Sequence, residues 1–129
     1  MFKEITIIIV IIILVITANI ITQNNVNKSL EMVSTELKYL RKEIIKEEVN
    51  RQKAEESIQK IETIWDEQYK KMAYYVEHNE LEKVETEITK LKADVEVKNY
   101  SFAVENLDNC IFVLNHIKDK SALKIVNIF

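Results

Sequence analysis

The chain has 129 residues, 18 basic and 21 acidic side chains, a formal net charge of −3, one cysteine, and neither glycine nor proline. That length suits one domain with a single modest core, and the interleaved acids and bases lack the basic stripe that phosphate-backbone binding requires, which argues against a nucleic-acid partner. Without glycine, the positive-φ turns of hairpin sheets are hard to build, so helices joined by Asn, Asp and Ser are expected, with Asn50, Asn79 and Asn99 as the natural turn residues.

From Ile5 to Ile21 the chain reads ITIIIVIIILVITANII, where thirteen of seventeen residues are Ile, Val or Leu and none is charged. A helix apolar on every side is either enclosed by protein or immersed in lipid, and a domain of this size has no interior to enclose it. At about −0.3 to −0.6 kcal/mol for each such residue near the bilayer centre, the sum outweighs Asn19 and the threonines. Seventeen residues at about 1.5 Å each span roughly 25 Å, so Phe2 and Thr22 complete the crossing and Lys3 snorkels to the headgroups. Residues 1–22 therefore read as a membrane anchor touching lipid through residues 5–21, and residues 23–129 as a helical domain. A cleaved signal would end in an A-x-A-like site, whereas Ala18 stands alone inside the run and Ile20 and Ile21 follow it, so the anchor is expected to be retained. The short flank with Lys3 favours a single-pass cell-membrane protein with its C-terminal domain outside the cytoplasm.

Beyond a polar stretch at Gln23 to Asn25, apolar residues recur at helical spacing in four stripes. The first runs Val26, Leu30, Val33, Leu37, Leu40 and Ile44; the second Ala54, Ile58, Ile61, Trp65, Met72 and Val76, widened by Ile64, Tyr69 and Tyr75. The third is Leu81, Val84, Ile88, Leu91 and Val95, and the fourth Ala103, Leu107, Cys110, Leu114 and Ile117. Asn79, followed three residues later by Glu82, predicts a cap for the third helix. Short connections near 48–51, 77–80 and 98–101 predict antiparallel neighbours. The expected fold is all-α, an N-terminal transmembrane helix followed by an antiparallel four-helix bundle or two stacked helical hairpins.

The stripes also repeat. At an offset of 51, Leu30, Val33, Leu37, Leu40 and Ile44 map onto Leu81, Val84, Ile88, Leu91 and Val95. At an offset of 49, Asn50, Ala54, Ile58, Ile61, Ile64 and Trp65 map onto Asn99, Ala103, Leu107, Cys110, Val113 and Leu114. The offsets suggest two related helical hairpins packed into a bundle or a short solenoid-like stack; the competing reading is that any two amphipathic helices match at some offset.

No catalytic, cofactor-binding or metal-binding constellation stands out. The two histidines, His78 and His116, are preceded at three residues by Tyr75 and Val113, which rules out the Glu-x-x-His pairs of carboxylate-bridged metal bundles. His78 is expected to hydrogen-bond at a helix end, and His116 to sit near a last helical turn, where a cation suits the helix dipole. Cys110 lies on an apolar stripe and reads as a buried, inert thiol. No Ser, Cys or Lys has a positioned base, and no glycine loop exists to cradle a phosphate, so an enzyme is not expected. Trp65, Tyr69, Tyr74, Tyr75 and Tyr100 cluster around the middle of the domain, as core with polar tips or as a ligand pocket.

The Trp65 helix, the YVEHNELEKVE segment with His78 and Glu80, the LNHI segment at Leu114 to Ile117, and the final Asn127, Ile128 and Phe129 resemble the domain of unknown function 4363 family, small proteins of Gram-positive, largely clostridial bacteria. The resemblance implies a membrane-associated helical protein and assigns no activity. The expected function is a non-catalytic, membrane-tethered helical interaction or scaffold module with an envelope or membrane protein as partner. The alternative is a coiled-coil structural component of a membrane or division complex, disfavoured by stripe breaks at Asn50, Asn79 and Asn99. The apolar tail, Leu123, Ile125, Val126, Ile128 and Phe129, is expected to dock on the bundle or to join a partner-binding surface.

Overall fold

The computed structural model describes the backbone of residues 1–128 and the side chains through Ala122; the docking expected of Leu123, Ile125, Val126, Ile128 and Phe129 lies outside those side chains. Four helices, α1 (Phe2–Ile44), α2 (Arg51–Met72), α3 (His78–Glu96) and α4 (Tyr100–Ile128), take up 88% of the chain, and no strand occurs among the described residues.

The apolar segment and the first amphipathic stripe, expected as two helices, form one. α1 runs 43 residues without interruption through Gln23, Asn24 and Asn25, a rod of about 65 Å. Gln and Asn inside a helix each cost at most about 0.7 kcal/mol, less than stopping one helix and nucleating another.

From Val26 onward α1 joins the other three helices in an antiparallel bundle. Each helix packs on its two neighbours in the ring α1–α2–α3–α4, while the diagonal pairs stay apart. The α3–α4 pair is the most closely packed and the α2–α3 seam the thinnest. The expected stripes supply the core: Leu37, Leu40, Ile61, Leu91, Leu107 and Leu114 are all fully buried. Polar ties set the register between neighbours. Ser29 Oγ donates to Gln68 Oε1 at 2.6 Å and Ser57 Oγ to Glu36 Oε1 at 3.1 Å across α1–α2. Arg41 bonds Asp108 at 2.9 Å across α1–α4, and Lys120 reaches Glu77 at 3.1 Å across α3–α4.

Burial follows the repeat. Ser29, Leu30, Val33, Leu37, Leu40 and Ile44 of α1 are buried, and so are their counterparts 51 residues on, Glu80, Leu81, Val84, Ile88, Leu91 and Val95 of α3. Ala54, Ile58, Ile61 and Trp65 of α2 correspond at 49 residues to the buried Ala103, Leu107, Cys110 and Leu114 of α4. The two hairpins α1–α2 and α3–α4 thus turn their apolar stripes to one core.

Two of the three expected turn residues act as expected. Asn50 caps α2, its side chain accepting from the Lys53 N–H at 3.2 Å, and Asn99 accepts from the Phe102 N–H at 3.4 Å at the start of α4. Asn79 does not cap: α3 begins at His78 with Glu77 as its N-cap, so Asn79 already lies in the first turn and the box with Glu82 does not form. The physical reason is the tight preceding turn. The N–H groups of Tyr75 and Val76 both bond the Met72 carbonyl, and those of Glu80 and Leu81 bond the Glu77 carbonyl, which starts the helix early and leaves Val76 buried against the core. At the α3–α4 turn the left-handed position falls on Lys98 (φ 59°). Lys98 N–H bonds the Val95 carbonyl and Asn99 N–H the Asp94 carbonyl, closing a Schellman motif at a site that normally prefers glycine.

Candidate functional site

The bundle has a near end, from which the apolar part of α1 emerges, and a far end, with the 45–50 and 97–99 turns. At the near end lie the start of the first stripe, the end of α2, the α2–α3 turn and the last third of α4. α4 continues to Ile128 and, at 29 residues, is longer than α2 (22) and α3 (19).

Within α1, an 18-residue window near the N-terminus has a mean hydropathy of 3.0, and the protein buries none of it. It is long and apolar enough to cross a membrane, a test of length and composition that signal sequences also pass. Ile5, Ile7 to Val15, Ile20 and Ile21 are all exposed, in contrast to the alternation that begins at Val26.

Just beyond this segment, α1 and α2 border a cleft of about 380 Å³. Asn25, Lys28 and Met32 line it from α1, and Gln68, Lys71, Tyr74 and Tyr75 line it from the end of α2 and the turn that follows. Its base holds the buried Ser29–Gln68 hydrogen bond. No carboxylate is among the lining residues. Tyr74 is 85% exposed, and its ring lies 6.4 Å from that of Tyr75.

The expected aromatic cluster is therefore not one site. Trp65 is buried, with its ring edge-on to Tyr69 at 5.9 Å, and belongs to the core. Tyr74 and Tyr75 lie at the near end, and Tyr100, partly buried, at the far end beside Arg51. Their closeness in sequence reflects the turn after α2, and the antiparallel path of α3 carries Tyr100 to the opposite end. The indole N–H of Trp65 is buried without a hydrogen-bond partner and borders a smaller cleft of about 190 Å³ on the thin α2–α3 seam, with Glu62, Asp66 and Lys92 at its rim.

His78 behaves as expected of a helix-end residue. Its Nδ1 lies 3.2 Å from the Tyr69 hydroxyl and its Nε2 2.9 Å from Glu82, tying the end of α2 to the first turn of α3. His116 does not sit near a last turn, because α4 runs on to Ile128; it is exposed in mid-helix, where the dipole argument has no force. Cys110 is fully buried, and burial, helped by the charge of Glu87, pushes its thiol up to about 12. An open groove between α3 and α4 is lined by Glu77, Glu80, Glu82 and Glu87, but among the described residues no three His, Cys, Asp or Glu side chains are grouped to hold a metal ion.

The cleft residues are what sequence reasoning missed. Lys28 and Lys71 lie 43 positions apart on different helices, and no spacing rule connects them until the α1–α2 register is known. The apolar stripe places Tyr75 and Val76 on the second helix, but α2 ends at Met72, and Tyr74 and Tyr75 both fall in the turn that follows.

Comparison with curated proteins and with solved structures returns no match. The model of the family described as Domain of unknown function (DUF4363) matches residues 20–128, taking in the whole bundle and leaving most of the apolar segment outside, and the chain belongs to this family.

Proposed function

We propose that this protein is a non-catalytic helical interaction or scaffold module tethered to the cell membrane, with residues 5–21 in the bilayer as a retained single-pass anchor and the bundle on the extracytoplasmic side. The carrying observation is the apolar half of α1, none of which the protein buries although its composition makes water a costly neighbour. The continuity of α1 supports retention: no loop or change of backbone conformation separates the apolar segment from the buried stripe. A bundle mounted on such a rod presents its outer faces at a fixed height, and confinement to a surface raises effective concentration so that a modest interface suffices. Phe112 (72% exposed) and Phe102 on the outside of α4 offer apolar contact to an envelope or membrane protein.

The coiled-coil structural component has one observation in its favour, the unbroken passage from apolar segment to bundle. Against it, the stripe of α1 is already covered within the chain by α2 and α4, leaving no long seam for a second chain.

The test is a photo-crosslinking residue placed at Phe112 of the full chain in intact cells, with protease accessibility read in parallel. A discrete adduct to one membrane or envelope protein, with the bundle digested by external protease, is the expected result. A chain released from the membrane by carbonate, or found without the apolar segment, overturns the reading.

A further inference from the structure

We propose that the near-end cleft between α1 and α2 receives the phosphate of an anionic phospholipid headgroup, with Lys28 and Lys71 as its cationic contacts and Tyr74 and Tyr75 seated in the interfacial layer. The inference rests on the membrane reading above and specifies how the bundle meets the bilayer.

The argument begins with distance along α1. Ile21 closes the apolar run, and Asn25 and Lys28 follow about 6 Å and 10 Å further along the axis. The headgroup layer of one leaflet is about 5–7 Å thick, so the mouth of the cleft lies at its outer boundary. Side chains on a helix lean toward its N-terminus, so Lys28 leans back toward the apolar segment and into that layer. α2 runs the other way and delivers Lys70 and Lys71 in its last turn, where they offset the negative end of its dipole, followed at once by Tyr74 and Tyr75.

The chemistry of the lining points the same way. Lys28 and Lys71 bring two ammonium groups to one cavity in which no carboxylate neutralises them. Neither takes part in an ion pair among the described residues, whereas Lys60 and Lys120 are held by Glu36 and Glu77. The Ser29 bond occupies the Gln68 carbonyl oxygen and leaves the amide N–H donors of Gln68, a lining residue, for an anion. Tyrosine pairs with exposed rings are costly in water and favoured at the membrane boundary, where an apolar body meets acyl chain and the hydroxyl meets headgroups. A free phosphate would satisfy the lysines but gives no role to Tyr74 or Tyr75. A lipid uses both.

The full chain, reconstituted in phosphatidylcholine vesicles containing phosphatidylglycerol with a photoactivatable headgroup, tests this. Headgroup adducts are expected to concentrate on residues 25–32 and 68–75, to fall by about tenfold in the Lys28→Gln, Lys71→Gln double variant, and to survive in Lys28→Arg, Lys71→Arg. Unchanged melting of the bundle by circular dichroism confirms that the glutamine variant is folded. Excess inorganic phosphate should leave the adducts in place; displacement would reassign the cleft to free anions and overturn the lipid assignment. Adducts equal in wild type and the glutamine variant, or absent from the cleft while the chain resists carbonate extraction, overturn the cleft alone. A wild-type chain removed by carbonate overturns the anchor and the cleft together.

Discussion

α1 is one continuous helix with two unlike halves. Between Ile5 and Ile21 its residues are almost all apolar and none is buried by the protein; between Val26 and Ile44 an apolar stripe is buried and the opposite face carries Glu31, Lys38 and Lys42. The backbone is the same in both, so hydrogen bonding along the helix does not distinguish them. What differs is the surrounding medium each half requires. The first half needs an environment apolar all round, and the second needs one apolar side and one wet side.

That contrast breaks most sharply with a charge in the first half. Ile12→Asp should cost about 4 kcal/mol of insertion, releasing the chain into the carbonate-soluble fraction without changing the melting of the bundle. Coupled loss of bundle stability would mean that protein, not lipid, covers residue 12. In the second half the effects should reverse. Leu37→Ala, at a fully buried position, should lower bundle stability by about 3 kcal/mol in denaturant titration and leave membrane retention intact.

Cys110, on the α4 turn next to the Arg41–Asp108 bridge, sharpens the comparison by reporting on the covered half alone. Its folded thiol is raised from 9.0 to about 12, first by burial and then by Glu87. A raised acid favours the folded state while it stays protonated, so this contribution is fully present below pH 9 and is lost as pH climbs from there toward 12. The wild type should lose on the order of 1 kcal/mol by pH 10, a loss absent in Cys110→Ala, and maleimide should label Cys110 only at the rate of unfolding. Fast labelling of the native chain would contradict the burial.

The smallest effect belongs to the far end. Lys98 holds a left-handed conformation, so Lys98→Gly should raise bundle stability by about 1 kcal/mol while membrane retention stays constant. A destabilised variant would show that the Lys98 side chain contributes more than its backbone strain costs.

Much of the chain could be read before folding because its signals are local. A run such as Ile7 to Val15 shows through composition alone a helix apolar enough to cross a membrane, and the spacing of Val33, Leu37, Leu40 and Ile44 announces a covered face, since helical geometry relates residues only a few positions apart. Local rules failed where two signals competed within a turn: Asn79 looked like a cap, but the bonds onto Met72 and Glu77 started α3 one residue before it. They failed again at Gln23 to Asn25, where polarity suggested a joint and helix propagation carried through. What only the tertiary structure decided is which distant residues meet. The Ser29–Gln68 bond, the separation of Tyr100 from Tyr74, and the shared cleft of Lys28 and Lys71 all depend on interhelical register, which is set by the packing of whole faces and leaves no trace in the spacing along any one helix.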